Sequence, residues 1–357
     1  VPGRDPTMSA HALVIAPNWI GEAVMAQPLL ALLRQRDPGL RIDALCVSRT
    51  APVFAAMPEV GRVLQAPERA GGLPRLAARL RLGWTLRAHN YRRAYLLAGS
   101  SGSMLPALAA GIPERIGHAG DAHRLLLNRT HEAPASGALP LLERYARLAF
   151  EPGEPLPGKV PAPRLMRRPD RERAVRAQFG LAEGGPLILL CPGAEHGTAR
   201  RWPTRHFATL ASLLCDEWPE ADIVVLGSAA ERATATEIAA LSGQPVRNLV
   251  GQTDVDEALA LVSQAAGVVS GDSGMMHLAA AFGRPQVAVF GATDPRRAPP
   301  LSPRAHVEWL HLQCSPCFGH DCAFGHADCL AHIAPTTVFE SLSKAMRFEP
   351  AGTRPIR

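Results

Sequence analysis

At 357 residues the chain is too long for one ordinary hydrophobic core, and two domains of roughly 150 residues each are expected. Its make-up, 47% hydrophobic and 20% charged, is that of a globular protein, and aromatics at 5% are too scarce for surfaces that stack on single-stranded nucleic acid. The net charge of +6 suits an anionic partner, yet the basic residues are nearly all arginines spread without a dense run, which disfavours nucleic acid.

Val1–Thr7, ahead of Met8, reads as an artificial leader and stays outside the fold reasoning. The short apolar run Leu13–Ala16 stops at Pro17 and Asn18, so it makes no secretory signal, and nothing approaches the ~20 apolar residues of a membrane span. In the first half, Ala12–Ala16, Ile42–Val47 and Ala94–Leu97 are predicted strands. Helical patterns cover about Gly21–Arg36, Leu73–Ala88, Ser103–Ala110 and Leu139–Phe150. Strands alternating with helices predict a parallel sheet covered on both faces.

Between residues 151 and 170 six prolines interrupt any regular element and predict an extended linker. A second alternating series follows. Leu187–Cys191, Ile223–Leu226, Val268–Ser270 and Val287–Phe290 are its strands, and Thr204–Glu217, Ala229–Leu241, Val255–Ala265 and Ser273–Phe282 its helices. The domains are therefore placed at 8–165 and 171–335, with a terminal helix and tail over 336–357 expected to pack toward the first domain. Two doubly wound halves predict a ligand cleft at the carboxyl ends of their strands.

Four segments carry chemistry. In Val268–Thr293 (VVSGDSGMMHLAAAFGRPQVAVFGAT) a strand ends, Gly271 and Gly274 flank Asp272 and Ser273, and a helix begins at once. Small residues and free helix-start N–H groups favour an anion there; the competing reading is a tight turn with Asp272 or Ser273 as N-cap. In Cys191–Pro203 (CPGAEHGTARRWP), Thr198, Arg200 and Arg201 follow another buried strand and could engage phosphate oxygens. In Ala16–Gln27 (APNWIGEAVMAQ), Glu22 sits in the first turn of the first helix, where the dipole alone also favours a carboxylate. Cys314, Cys317, Cys322 and Cys329 could hold a structural zinc, but their spacing matches no common module, and reduced thiols packing a loop are the reading adopted. Seven cysteines, an odd number without a signal, point to a reducing cytoplasm, with Cys46, Cys191 and Cys215 expected to be buried. No G-x-G-x-x-G or Walker-type loop is present, against a dehydrogenase or NTPase.

Together, PNWIGEAVMAQPL, PGAEHGTARRWP, GDSGMMHLAAAFGRPQVAVFG and the CSPCF ending resemble the family 9 glycosyltransferases from about Ala12 to Lys344. The resemblance implies an α/β GT-B fold, two Rossmann-like doubly wound domains facing a central cleft, and inverting transfer with no required cofactor or metal. The implied donor is ADP-L-glycero-D-manno-heptose. The implied acceptor is the first heptose of the lipopolysaccharide inner core (lipid A–Kdo–heptose), reached by a peripheral enzyme at the cytoplasmic face of a Gram-negative inner membrane. A Kdo-terminated core or another sugar is the alternative within the family. A non-catalytic nucleotide-sugar-binding protein is the alternative of another class. The family's base falls on Glu22 and its donor-sugar acid on Asp272. Thr198, Arg200, Ser273, Gly274 and His277 fall in the donor set, and Asn18, Trp19, Arg115, His118 and Arg124 in the acceptor set. Two departures stand out: the family usually has Asp at the position of Glu22 and Lys at that of Arg200.

Overall fold

The structure, a computed structural model, describes residues 11–67, 72–97, 101–119, 126–132, 139–156, 158–194 and 197–347. Val1–Thr7, Arg124 and residues 348–357 lie outside them. The chain divides into two compact units, residues 1–165 and 166–357.

The first unit runs β1 (His11–Ile15), α1 (Ile20–Arg36), β2 (Arg41–Cys46), α2 (Ala51–Ala55), β3 (Val60–Gln65), α3 (Gly72–Leu86), β4 (Arg93–Leu96), α4 (Leu105–Ala109), β5 (Glu114–His118), β6 (Arg129–His131) and α5 (Leu141–Arg147). Its strands form one sheet in the order β3-β2-β1-β4-β5-β6, all pairings parallel. The central strand shows why. Ala12, Leu13 and Val14 are wholly buried, as a strand covered by helices on both faces requires, so the run is apolar throughout rather than alternating.

The second unit repeats the plan: α6 (Pro169–Gln178), β7 (Leu187–Cys191), α7 (Thr204–Glu217), β8 (Asp222–Val225), α8 (Arg232–Ser242), β9 (Arg247–Asn248), α9 (Val255–Gln264), β10 (Gly267–Gly271), α10 (Gly274–Ala281), β11 (Gln286–Phe290), β12 (Ala305–Trp309), α11 (Asp328–Ala331) and α12 (Pro335–Arg347). Its order is β12-β11-β10-β7-β8-β9, again parallel. In both sheets the order reverses between two central strands, β1 and β4 in one and β7 and β10 in the other. That is where open parallel sheets leave a crevice for ligands.

The predicted linker ends earlier than expected. Pro169 opens α6, a position that suits proline because the first helical N–H has no intrahelical partner. The interior strand β5 and the edge strands β3, β6, β9 and β12 were not predicted, because they are only partly buried and carry Arg, Glu, Asn or His instead of an apolar run. The terminal helix α12 buries Val338, Leu342 and Ala345 in the second unit's own core, beside α7 and β11. Leu342→Ala should lower stability by about 2–5 kcal/mol, the usual cost of a cavity at a fully buried leucine. Denaturant unfolding followed by tryptophan fluorescence checks this, and an unchanged midpoint would remove α12 from the core.

Candidate active site

Two loops flank the switch point of the second sheet, one after β7 and one after β10. The loop after β7 turns at Gly197, whose φ is +86°; a Cβ there would lie 1.9 Å from the His320 carbonyl oxygen, so only glycine fits. The turn Thr198–Arg200 follows, held by Ala199 N–H donating to the His320 carbonyl (3.1 Å) and by the Thr198 hydroxyl donating to Asp321 (2.7 Å). Thr198 therefore anchors its own loop to the segment after β12. Gly271, at the end of β10, lets this loop approach: a Cβ there would stand 3.1 Å from the Arg200 carbonyl oxygen.

That approach brings Arg200 Nη1 to 3.6 Å from Asp272 Oδ2. Ser273 occupies the N-cap position of α10, as the turn reading expected, but its side chain makes no capping bond. Among the described residues Ser273 Oγ, Thr293 Oγ1, His277 Nδ1 and Arg200 Nε are buried without a hydrogen-bond partner. Unpartnered buried polar atoms are costly, and a group of them at strand ends marks a place made for a polar ligand. Burial drives the His277 imidazole well below its ordinary value, opposed by the Asp272 carboxylate, so the ring is neutral at physiological pH. A neutral imidazole, a guanidinium and an uncapped helix start suit an anion with hydroxyl groups beside it.

In the first unit Glu22 stands in the first turn of α1. Burial raises its pKa, and the Arg144 guanidinium on α5 partly offsets the rise. Tyr145, next along α5, is buried, lies near enough to feel the Glu22 charge, and donates its hydroxyl to the Leu97 carbonyl (3.3 Å). A desolvated carboxylate with a raised pKa is what a general base needs.

Asn18 and Trp19 line a cavity of about 400 Å³ at the carboxyl ends of β1, β2 and β3. Ser48, Arg49, Arg75, Arg79 and Ser103 add its other polar groups, and among the described residues that line it none is Asp or Glu. The Arg49 guanidinium lies over the Trp19 ring at 5.0 Å. Arg79 is held below its ordinary pKa by burial and by the charge of Arg75. Repelling cations in a cavity wall favour an anion between them.

The other acceptor candidates are placed differently. Arg115 is engaged by backbone carbonyls, Nε to Leu126 (2.7 Å) and Nη1 to Ile112 (2.7 Å). His118 joins the carbonyls of Arg144 (2.7 Å) and Glu132 (3.3 Å). Both tie loops together, and Arg124 lies outside the described residues. Arg144, Thr293, Arg49, Arg75 and Arg79 were missed. Nothing local marks them, since their positions follow from strand order and not from any motif.

All seven cysteines are free thiols; Cys46 and Cys191 are buried, while Cys215 is half-buried, more exposed than expected. Among the described residues no group of three or more His, Cys, Asp or Glu side chains is arranged to hold a metal. Among them, too, no helix is long and apolar enough to cross a membrane.

The sequence profile of glycosyltransferase family 9 (heptosyltransferase) matches residues 79–328. Lipopolysaccharide heptosyltransferase 2 of Escherichia coli (strain K12) is 36% identical over 348 residues, covering 95% of this chain and 99% of the relative. The solved structure of E. coli ADP-heptose LPS heptosyltransferase II superposes with a TM-score of 0.82 at 33% identity, over 94% of this chain and 98% of that one. Lipopolysaccharide heptosyltransferase 1 of Pseudomonas aeruginosa is 25% identical, covering 88% of each chain. Two parallel doubly wound sheets with this likeness define a GT-B glycosyltransferase. The chain belongs to glycosyltransferase family 9.

Proposed function

We propose that this chain transfers L-glycero-D-manno-heptose from its ADP-activated form onto the first heptose of the lipopolysaccharide inner core, with inversion. The observation that carries the reading is the set of unpartnered polar groups around Arg200, Asp272 and Ser273 at the second sheet's switch point, in a chain so similar to heptosyltransferase 2. In this reading Arg200 and the first amides of α10 take the diphosphate, with the Ser273–Gly274 turn against it. Asp272 and neutral His277 face the sugar. Glu22 accepts the proton of the acceptor hydroxyl as the new bond forms and the bond to ADP breaks. The charge that develops on ADP is met by Arg200 and the helix start. Such a displacement needs a base and an anion site, and no step is routed through a metal.

The acceptor's anionic sugars and phosphates fit the cavity walled by Arg49, Arg75 and Arg79, with Asn18 and Trp19 at its edge. The enzyme then works at the cytoplasmic face of the inner membrane, where that lipid is built. Arg79→Ala should raise the acceptor KM roughly tenfold or more, the worth of one charge-assisted contact, and leave the donor KM unchanged. Steady-state kinetics with ADP-heptose and two truncated cores test the reading. Transfer is expected onto the heptose-terminated core. Transfer only onto the Kdo-terminated core would overturn the acceptor assignment, and no turnover of ADP-heptose would overturn the reading as a whole.

A further inference from the structure

The helix that lends Arg75 and Arg79 to the cavity carries a second feature. Leu76, Leu80 and Trp84 recur every four residues along α3 and so share one stripe. They are 41%, 39% and 67% exposed, and Trp84 is far the most exposed tryptophan among the described residues. The helix has another side for its own packing. Leu86 and Gly83 are buried, and Gly83 faces α4 so closely that a Cβ there would lie 2.4 Å from the Ala109 Cβ. α4 in turn exposes Leu108, at 43%.

Along the sequence, charge through this stretch has one sign. Residues 69–113 contain seven arginines and no Asp or Glu. Arg81 is exposed on α3, and Arg87 is exposed in the turn that follows it, where its Nε donates to the Ala109 carbonyl (2.9 Å) and, among the described residues, its terminal nitrogens are left for a further partner. A helix with a leucine and tryptophan stripe beside exposed arginines has the make-up of elements that lie in the headgroup layer of an anionic bilayer. A second copy of the chain is a poor occupant, because a two-fold contact through α3 would set arginine against arginine.

We infer that α3 is the surface by which the protein docks on an anionic phospholipid bilayer, with Leu76, Leu80 and Trp84 entering the headgroup layer and Arg81 and Arg87 meeting lipid phosphates. The inference rests on the proposed lipid-anchored acceptor and adds to it the docking face. One helix presents its apolar stripe to lipid and its arginines to the cavity, so a headgroup extended from the bilayer reaches Arg75 and Arg79 without leaving the surface. Association is expected to weaken with salt, since part of it is ionic.

The test is co-sedimentation of the full chain with phosphatidylethanolamine–phosphatidylglycerol vesicles and with phosphatidylcholine vesicles. The wild type should bind the anionic vesicles and much less the neutral ones. The double variant Leu80→Ser, Trp84→Ser should partition roughly tenfold or more weakly, given the apolar area withdrawn from the interface. Its thermal unfolding and its transfer rate to a soluble, deacylated acceptor should match the wild type, because both side chains are exposed and neither lines the cavity. Wild-type partitioning by the variant would overturn the inference. So would wild-type binding that ignores lipid charge, or a dimer in sedimentation that the variant abolishes. Vesicle binding that persists in a chain unable to transfer heptose would support the docking face while defeating the proposed function.

Discussion

Glu22→Gln is expected to lower turnover by about 10²–10⁴ with ADP affinity little changed, the usual worth of general-base help to a poor hydroxyl nucleophile. Gln keeps the size and the hydrogen bonding of the side chain but cannot accept the proton. The pH profile sharpens the expectation. Burial raises the Glu22 pKa, with Arg144 opposing, so the acid limb of kcat should lie above the ordinary carboxylate range, activity rising as Glu22 ionises. Removing Arg144 should move that limb further up. The sign for stability is opposite to that for activity. A group whose pKa is raised by folding contributes stability that is full below its unfolded value and is lost as pH climbs through the folded one. Near neutrality Glu22→Gln should therefore be at least as stable as the wild type while nearly inactive. A Gln variant that turns over at the wild-type rate would make Glu22 a helix-start carboxylate and place the base elsewhere. Glu22→Asp restores the residue usual in the family but shortens its reach, and reduced, measurable activity is expected.

Arg200→Ala should weaken ADP binding by about 1.5–3 kcal/mol, roughly ten- to 150-fold, measured by calorimetry. Two effects act in the same direction. The variant loses a charge-assisted contact to phosphate, and it leaves Asp272 without the guanidinium that stands 3.6 Å away. An unneutralised carboxylate beside a diphosphate site repels the ligand. Arg200→Lys keeps the charge but loses the planar fork, and it should fall between Ala and wild type. Unchanged affinity in Arg200→Ala would take Arg200 out of the donor site.

Much of this molecule was legible in its chain. The buried parallel strands announce themselves as runs such as LILLC and VVS, because a strand covered on both faces has no reason to alternate. The amphipathic helix Thr204–Glu217 shows its period in Phe207, Leu210, Ala211 and Leu214, and its predicted bounds coincide with those of α7. Asp272, Ser273 and Arg200 were visible because each follows such a strand directly, and loops at strand ends are where a sheet exposes function. What the chain did not disclose depends on distance. Edge strands take polar residues and lose the apolar signature. Thr198 looked like a phosphate ligand, and only packing against residues 320–321 shows its hydroxyl engaged by Asp321. Arg115 and His118 looked available for an anion until the fold turned them onto backbone carbonyls. Arg49, Arg75 and Arg79 lie far apart in sequence from Trp19, and they share a cavity because parallel strand order sets the ends of β1, β2 and β3 side by side. Local pattern decides which elements form, since periodicity acts over a few residues. Which side chains meet is decided by the crossings between strands, and those are settled only when the sheet assembles.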